Sequence, residues 1–211
     1  MAIFTHQPGV TTRAVDLFQK DGLQDDWLVL GQVINPEPNN LTSRRTWLMG
    51  KNCQKIVLSL EYAFGTNEFT TQWLKGMAYT GEPVFYPASY PLRVAFKSVD
   101  LAPHFSEISG YLFFDDFLKK YSEALTKNPW LPQFPVLMTQ VIPVFLKNNF
   151  FLIDKEKKSI PIGEYQLSLW QLLALSGGHP ISVFGEWDGK IFTPLNAFQT
   201  VKQKKPSTLT G

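Results

Sequence analysis

The sequence predicts an α+β fold, in which a small antiparallel β-sheet or open barrel precedes a mixed unit with one long amphipathic helix and a helix–hairpin. Three observations lead there. Residues 27–97 contain five short extended runs separated by turn signals, the pattern of a small sheet or barrel. Residues 111–127 carry an apolar repeat of helical period. Residues 168–192 read as a short helix, a glycine break and a hairpin. By composition the chain divides into a lead-in (1–24), a β-rich subdomain (25–100), an α+β subdomain (101–200) and a lysine-bearing tail (201–211) expected to be disordered. The two central parts either stand alone or share one core.

The lead-in is turn-rich, with a modest helical candidate around 12–20. The first strand is expected over 27–34, and the Asn-Pro-Glu-Pro-Asn-Asn run at 35–40 is a loop by composition. A second strand follows at 42–49 and a turn at Gly50-Lys51-Asn52. Residues 55–64 alternate: Ile56, Leu58, Leu60 and Tyr62 lie opposite Val57, Ser59, Glu61 and Ala63, as in a half-buried strand. Runs at 81–86 and 92–97 complete the set.

After a loop over 100–110, Phe114, Phe117, Leu118, Tyr121 and Leu125 share one face of the predicted helix, which stops at Asn128-Pro129. An aromatic–proline linker spans 130–135. Strands at 136–146 and 150–154 flank a Lys147-Asn148-Asn149 turn. In the next helix Leu169, Leu172, Leu173 and Ser176 share a face and Ser168 is the expected N-cap. Gly177-Gly178 can take positive φ to close it, and Pro180 prevents its continuation. Asp188-Gly189 is a hairpin signal between an extended run at 181–184 and a return at Ile191-Phe192.

Composition narrows the function classes. A net charge of +2 argues against a general nucleic-acid binder. Cys53 is the single cysteine, which excludes an intramolecular disulfide and a cysteine-based zinc site within the chain. No signal-peptide pattern opens the sequence and no apolar run is long enough for a membrane span. A cytoplasmic protein without cofactor or membrane association is expected.

Two constellations carry potential chemistry. Ser176, His179 and Glu186 are the side-chain types of a nucleophile, a base and an orienting carboxylate. Ser176, however, lies at a helix C-terminus, where the dipole opposes a developing anion, so C-cap glycines and a turn histidine are the preferred reading. Arg44, Arg45, Trp47, Tyr86, Tyr90 and Arg93 form a basic and aromatic set that could stack bases and meet phosphates; strand packing and cation–π contacts explain the same residues. Trp130, His179 and Trp187 join Trp47, Tyr86, Tyr90 and Arg93 as candidates for protein contacts. His6, His104 and His179 have no partner at helical spacing, so no metal site is expected.

The phrases WLVLGQV, SRRTWLMG, VFYPASYPLR, NPWLPQFPVL and WQLLALSGGHPISVFGEWDG, in that order, resemble the region C-terminal to the zinc finger of bacterial SWIM zinc-finger proteins. With one cysteine the finger itself is missing, so the resemblance does not bring zinc binding with it. It implies an adaptor working beside a SWIM zinc-finger protein or a MoxR-type AAA ATPase. Nucleic-acid binding and a hydrolase built on Ser176 and His179 are the alternatives.

Overall fold

The computed structural model describes residues 22–65, 69–87, 92–103, 108–164 and 167–199. The lead-in helix candidate, the tail (201–211), His6, Tyr90 and His104 lie outside these residues.

β1 (Asp25–Glu37), β2 (Leu41–Gly50), β3 (Ile56–Phe64), β4 (Ala78–Phe85) and β5 (Arg93–Leu101) close into a barrel in the order β1-β2-β3-β5-β4. β1 pairs antiparallel with β2 and β4, and β3 touches β5 in parallel through Leu58↔Arg93 and Ser59↔Val94. That connectivity is of the OB type, a five-stranded Greek-key barrel. Alternation sends Trp27, Val29, Leu48, Val57 and Val94 inward, where Trp73 and Tyr79 join them. The polar side chains inside are paired, with Arg44 Nε left without a partner. The Gln32 amide donates to the Thr46 hydroxyl and the Trp73 carbonyl, and Arg44 pairs with Glu61 at 2.6 Å.

A second sheet has the order β10-β9-β6-β7-β8, from β6 (Phe134–Leu146), β7 (Asn149–Ile153), β8 (Ser159–Pro161), β9 (Ile181–Trp187) and β10 (Phe192–Gln199). A parallel bridge from Ile162 to Phe192 ties the chain after β8 to the opposite edge, so the sheet curls. One face receives α1 (Phe114–Lys127) and α2 (Leu169–Ser176) over Val136, Met138, Ile181, Val183 and Phe192. The other face puts Leu137, Phe184 and Leu195 onto Leu28, Leu30, Trp47 and Leu58 of the barrel. The layers are barrel, sheet, helices.

This corrects the expected fold class. The described chain is mainly β, with two sheets of five strands and only two short helices, and not an α+β protein built on a long helix and a helix–hairpin. The first half is a closed barrel with one parallel contact, not an antiparallel sheet or open barrel. In the second half, β9 and β10 follow α2 but belong to a sheet whose central strand β6 lies 40 or more residues earlier in register, from Val141↔Ile181 outward. Local periodicity reports helices well and such distant pairings poorly. Within α2 the details follow from the residues: Leu169, Leu172 and Ser176 are buried, and Gly177 closes the helix at φ 53°. Ser168 sits at the N-cap position, yet its side chain makes no capping bond.

Asp25, at the start of β1, organises the turn between β2 and β3. Its carboxylate accepts from the backbone N–H groups of Asp26, Asn52 and Cys53 and from the Asn52 side-chain amide. Burial pushes the Asp25 carboxyl up, and the backbone donors outweigh it, holding the group below its ordinary value. A depressed carboxylate stabilises the fold above the unfolded pKa, near 3.9, and loses that contribution as pH falls through the folded value. Asp25→Asn is therefore expected to lose about 1–3 kcal/mol at neutral pH. In urea titrations the gap from wild type should shrink below about pH 4. A gap independent of pH would refute the assignment.

Candidate functional site

Alternation along β9 sends Ile181, Val183 and Trp187 to the helices, leaving Ser182, Phe184 and Glu186 to face the barrel. Along β2, Arg45, Trp47 and Met49 point outward from the barrel, because Arg44, Thr46 and Leu48 point in. The two strands thus bring Glu186 to Arg45 and Trp47. The Trp47 indole N–H donates to Glu186 Oε1 at 2.8 Å, and Arg45 donates to Oε2 at 3.0 Å. Glu186 is 3% exposed and Trp47 is 1% exposed. A buried carboxylate is tolerable only with such partners.

Close approach of the layers depends on Gly31, where β1 carries a bulge. A Cβ there would lie 2.9 Å from the Leu195 Cβ and the Phe184 ring, closer than carbon atoms pack. At the margin of this seam an open cleft of about 130 Å³ is lined by Val33, Asn35, Arg45, Gln133, Glu186 and Thr193. The Nε of Arg45, one of these lining residues, is buried and has no hydrogen-bond partner.

The clamp disperses both sets of residues read from the sequence. Glu186 spends its two oxygens on the barrel. Ser176 donates its hydroxyl to the His179 carbonyl at 2.6 Å, closing the helix-end turn, and the His179 side chain is exposed. No hydrogen bond links the three side chains as a relay.

Of the basic and aromatic set, Arg44 faces the barrel interior, held by Glu61 and the Thr71 carbonyl with the Phe69 ring 4.2 Å from its guanidinium carbon. Arg45 and Trp47 belong to the seam. Arg93 and Tyr86 stay together, the guanidinium carbon 5.1 Å from the ring centroid. Burial pushes the Arg93 pKa down and the Tyr86 pKa up. Trp187 is packed in the core beneath α1, its ring 5.6 Å from Phe117. Trp130 is 90% exposed. Among the described residues, no three His, Cys, Asp or Glu side chains come together as metal ligands, and no helix is long and apolar enough to cross a membrane.

A surface cluster escaped the sequence reading. Phe145 and Phe150 face each other across the β6–β7 hairpin and Trp170 of α2 closes on both, with centroid separations of 4.7, 5.0 and 5.0 Å. Phe145, Leu146 and Trp170 are all exposed. The signal was present: Trp170 lies off the buried Leu169–Leu172 face of its helix, and Phe145-Leu146 puts apolar residues on both faces of a strand just before its turn.

Comparison with family models, curated proteins and solved structures returned no match.

Removing the clamp tests the seam. Glu186→Ala strands one buried donor, the Trp47 indole, and the half-buried Arg45 guanidinium, and is expected to cost about 2–4 kcal/mol in chemical denaturation. Glu186→Gln, which can still accept from Trp47, should cost less. A loss below about 0.5 kcal/mol for the alanine variant would mean the carboxylate does not join the layers.

Proposed function

We propose that the chain is a non-catalytic protein-interaction module. The observation that carries this reading is the surface cluster of exposed Phe145, Leu146 and Trp170 packed on half-buried Phe150. Two exposed rings, Phe145 and Trp170, packed on a half-buried Phe150 form an apolar patch of the kind that marks binding surfaces. The dispersal of Ser176, His179 and Glu186 removes the support for a hydrolase. On the sequence resemblance, the expected partner is a SWIM zinc-finger protein or a MoxR-type AAA ATPase in a cytoplasmic assembly.

The OB-type barrel raises the nucleic-acid alternative, since barrels of this type bind oligonucleotides across the face of strands 2 and 3. Fold analogy alone is weak grounds for function. Here much of that face packs against the second sheet, and Arg44 and Arg45 are paired with Glu61 and Glu186. Phosphate binding would require freeing them, so protein docking is the better reading.

The test is recovery of partners from the native host with tagged wild type and with a Trp170→Ser, Phe145→Ser double variant. Both positions are exposed, so the variant should unfold at close to the wild-type temperature. Salt-resistant partners identified by mass spectrometry should be lost or reduced at least about tenfold, the cost of deleting aromatic hot spots. Undiminished recovery by the variant would remove the patch from the proposal. Recovery of nucleic acid alone, lost at high salt, would favour the alternative.

A further inference from the structure

β3 is paired along its length on one side only. Toward β2 its ladder runs unbroken from Met49↔Ile56 to Leu41↔Phe64. Toward β5 it ends after Ser59. The direction of each backbone group follows from the ladder. The Leu58 N–H donates to the Leu92 carbonyl, on the β5 side, at 2.9 Å, and the Gly65 N–H donates to the Asn40 carbonyl, on the β2 side, at 3.0 Å. Alternate residues share a direction, so Leu60, Tyr62 and Phe64 aim their N–H and C=O groups away from β2. None of these groups has a hydrogen-bond partner among the described residues.

An open strand edge is usually guarded by charge, proline or a covering element. This one is flanked by apolar side chains. Tyr62 is 38% and Phe64 61% exposed. Beside it, on the outer face of β5, lies Arg93. Its Nε is buried without a partner, none of the ion pairs among the described residues uses it, and its neighbours are the Tyr86 ring and the Tyr62 phenol. A cation so placed calls for an anionic group delivered from outside.

We propose that the β3 edge from Leu60 to Phe64 accepts an extended peptide of a partner protein as an added strand, with a carboxylate of that peptide on Arg93. Main-chain bonds to Leu60, Tyr62 and Phe64 supply affinity and the outward side chains supply selectivity, the general mode of strand addition. Apolar residues of the peptide alternate with polar ones, so that one face covers Tyr62 and Phe64. A second copy of the chain fits less well. The outward residues of β3 (Leu58, Leu60, Tyr62 and Phe64) include no acid, and Glu61 faces the barrel interior, where it holds Arg44. This inference rests on the interaction-module reading and adds a second contact to it, separate from the Phe145–Trp170 patch.

The test uses the full chain and a displayed library of random dodecapeptides, with selected peptides resynthesised and titrated by fluorescence anisotropy. Selected sequences should alternate apolar and polar residues and carry Asp or Glu. Three variants read the site: Tyr62→Pro, which removes an N–H from the open side only; Phe64→Lys, a milder guard against pairing; and Arg93→Gln. Each should weaken binding at least about tenfold, with melting temperatures measured in parallel. N-methylation of the peptide at alternate residues should abolish binding in one phase and spare it in the other, which an ordinary side-chain groove would not do.

Several results would overturn the proposal: no selected peptide binds, binding is equal in a folded Phe64→Lys variant, or the chain self-associates through this edge in analytical ultracentrifugation. Competition by an oligothymidylate that binds more tightly than every peptide would assign the edge to single-stranded nucleic acid. If these variants keep the partners recovered from the host while the Trp170→Ser, Phe145→Ser variant loses them, the edge proposal fails and the interaction-module reading stands.

Discussion

A carboxylate buried between two β-layers is costly unless its oxygens are filled, and Glu186 fills both, one from the Trp47 indole and one from Arg45. The pairing requires the outward phase of β2 and the barrel-facing phase of β9 to meet in a single register. A slip of one residue on either strand would turn these side chains to the opposite face. Around the clamp, Leu28, Leu30 and Leu58 interlock with Leu137, Phe184 and Leu195, and Gly31 leaves the space for that contact. Apolar burial supplies most of the attraction; the clamp selects which of the possible sheet-on-barrel arrangements is formed.

The seam decides what remains available for function. It covers the part of the barrel where barrels of OB topology hold ligands, and it neutralises Arg45 there. A second internal pair, Arg44 with Glu61, closes the barrel interior with the Trp73 indole donating to the same carboxylate. Among the described residues two apolar and aromatic places stand outside the seam: the Phe145, Phe150 and Trp170 cluster, and the unpaired stretch of β3 beside Arg93. On the proposed reading both dock protein; a phosphate backbone would call for several free arginines and lysines on one face.

Much of the secondary structure was legible in the sequence because it is encoded locally. The alternation of 55–64, the Asp188-Gly189 turn and the Leu169–Leu172 face each report a backbone state within a few residues. The fold class was not legible. It depends on β6 meeting β9, β3 touching β5 in parallel and Ile162 reaching Phe192, and no local period encodes those partners. Individual side chains divide along the same line. Glu186 reads in sequence as a neighbour of His179 and in space as the partner of Trp47 and Arg45. Arg44 and Arg45 are adjacent in sequence and, by strand alternation, lie inside and outside the barrel. The exposure of Trp170 and the burial of Trp187 were likewise decided by layers that the sequence does not order.

The most direct test of the clamp is the hydrogen exchange of the Trp47 indole N–H, followed by NMR with indole assignments made by single substitution. The Trp130 indole, on a side chain almost wholly in water, serves as the fast-exchanging internal reference. If Glu186 holds the layers together, the Trp47 indole exchanges only through opening of the whole fold, at the rate of the slowest barrel amides, and Glu186→Ala accelerates it sharply. Exchange of Trp47 in the native protein on the timescale of Trp130 would mean that the seam opens freely, and the account of the closed barrel face would be wrong.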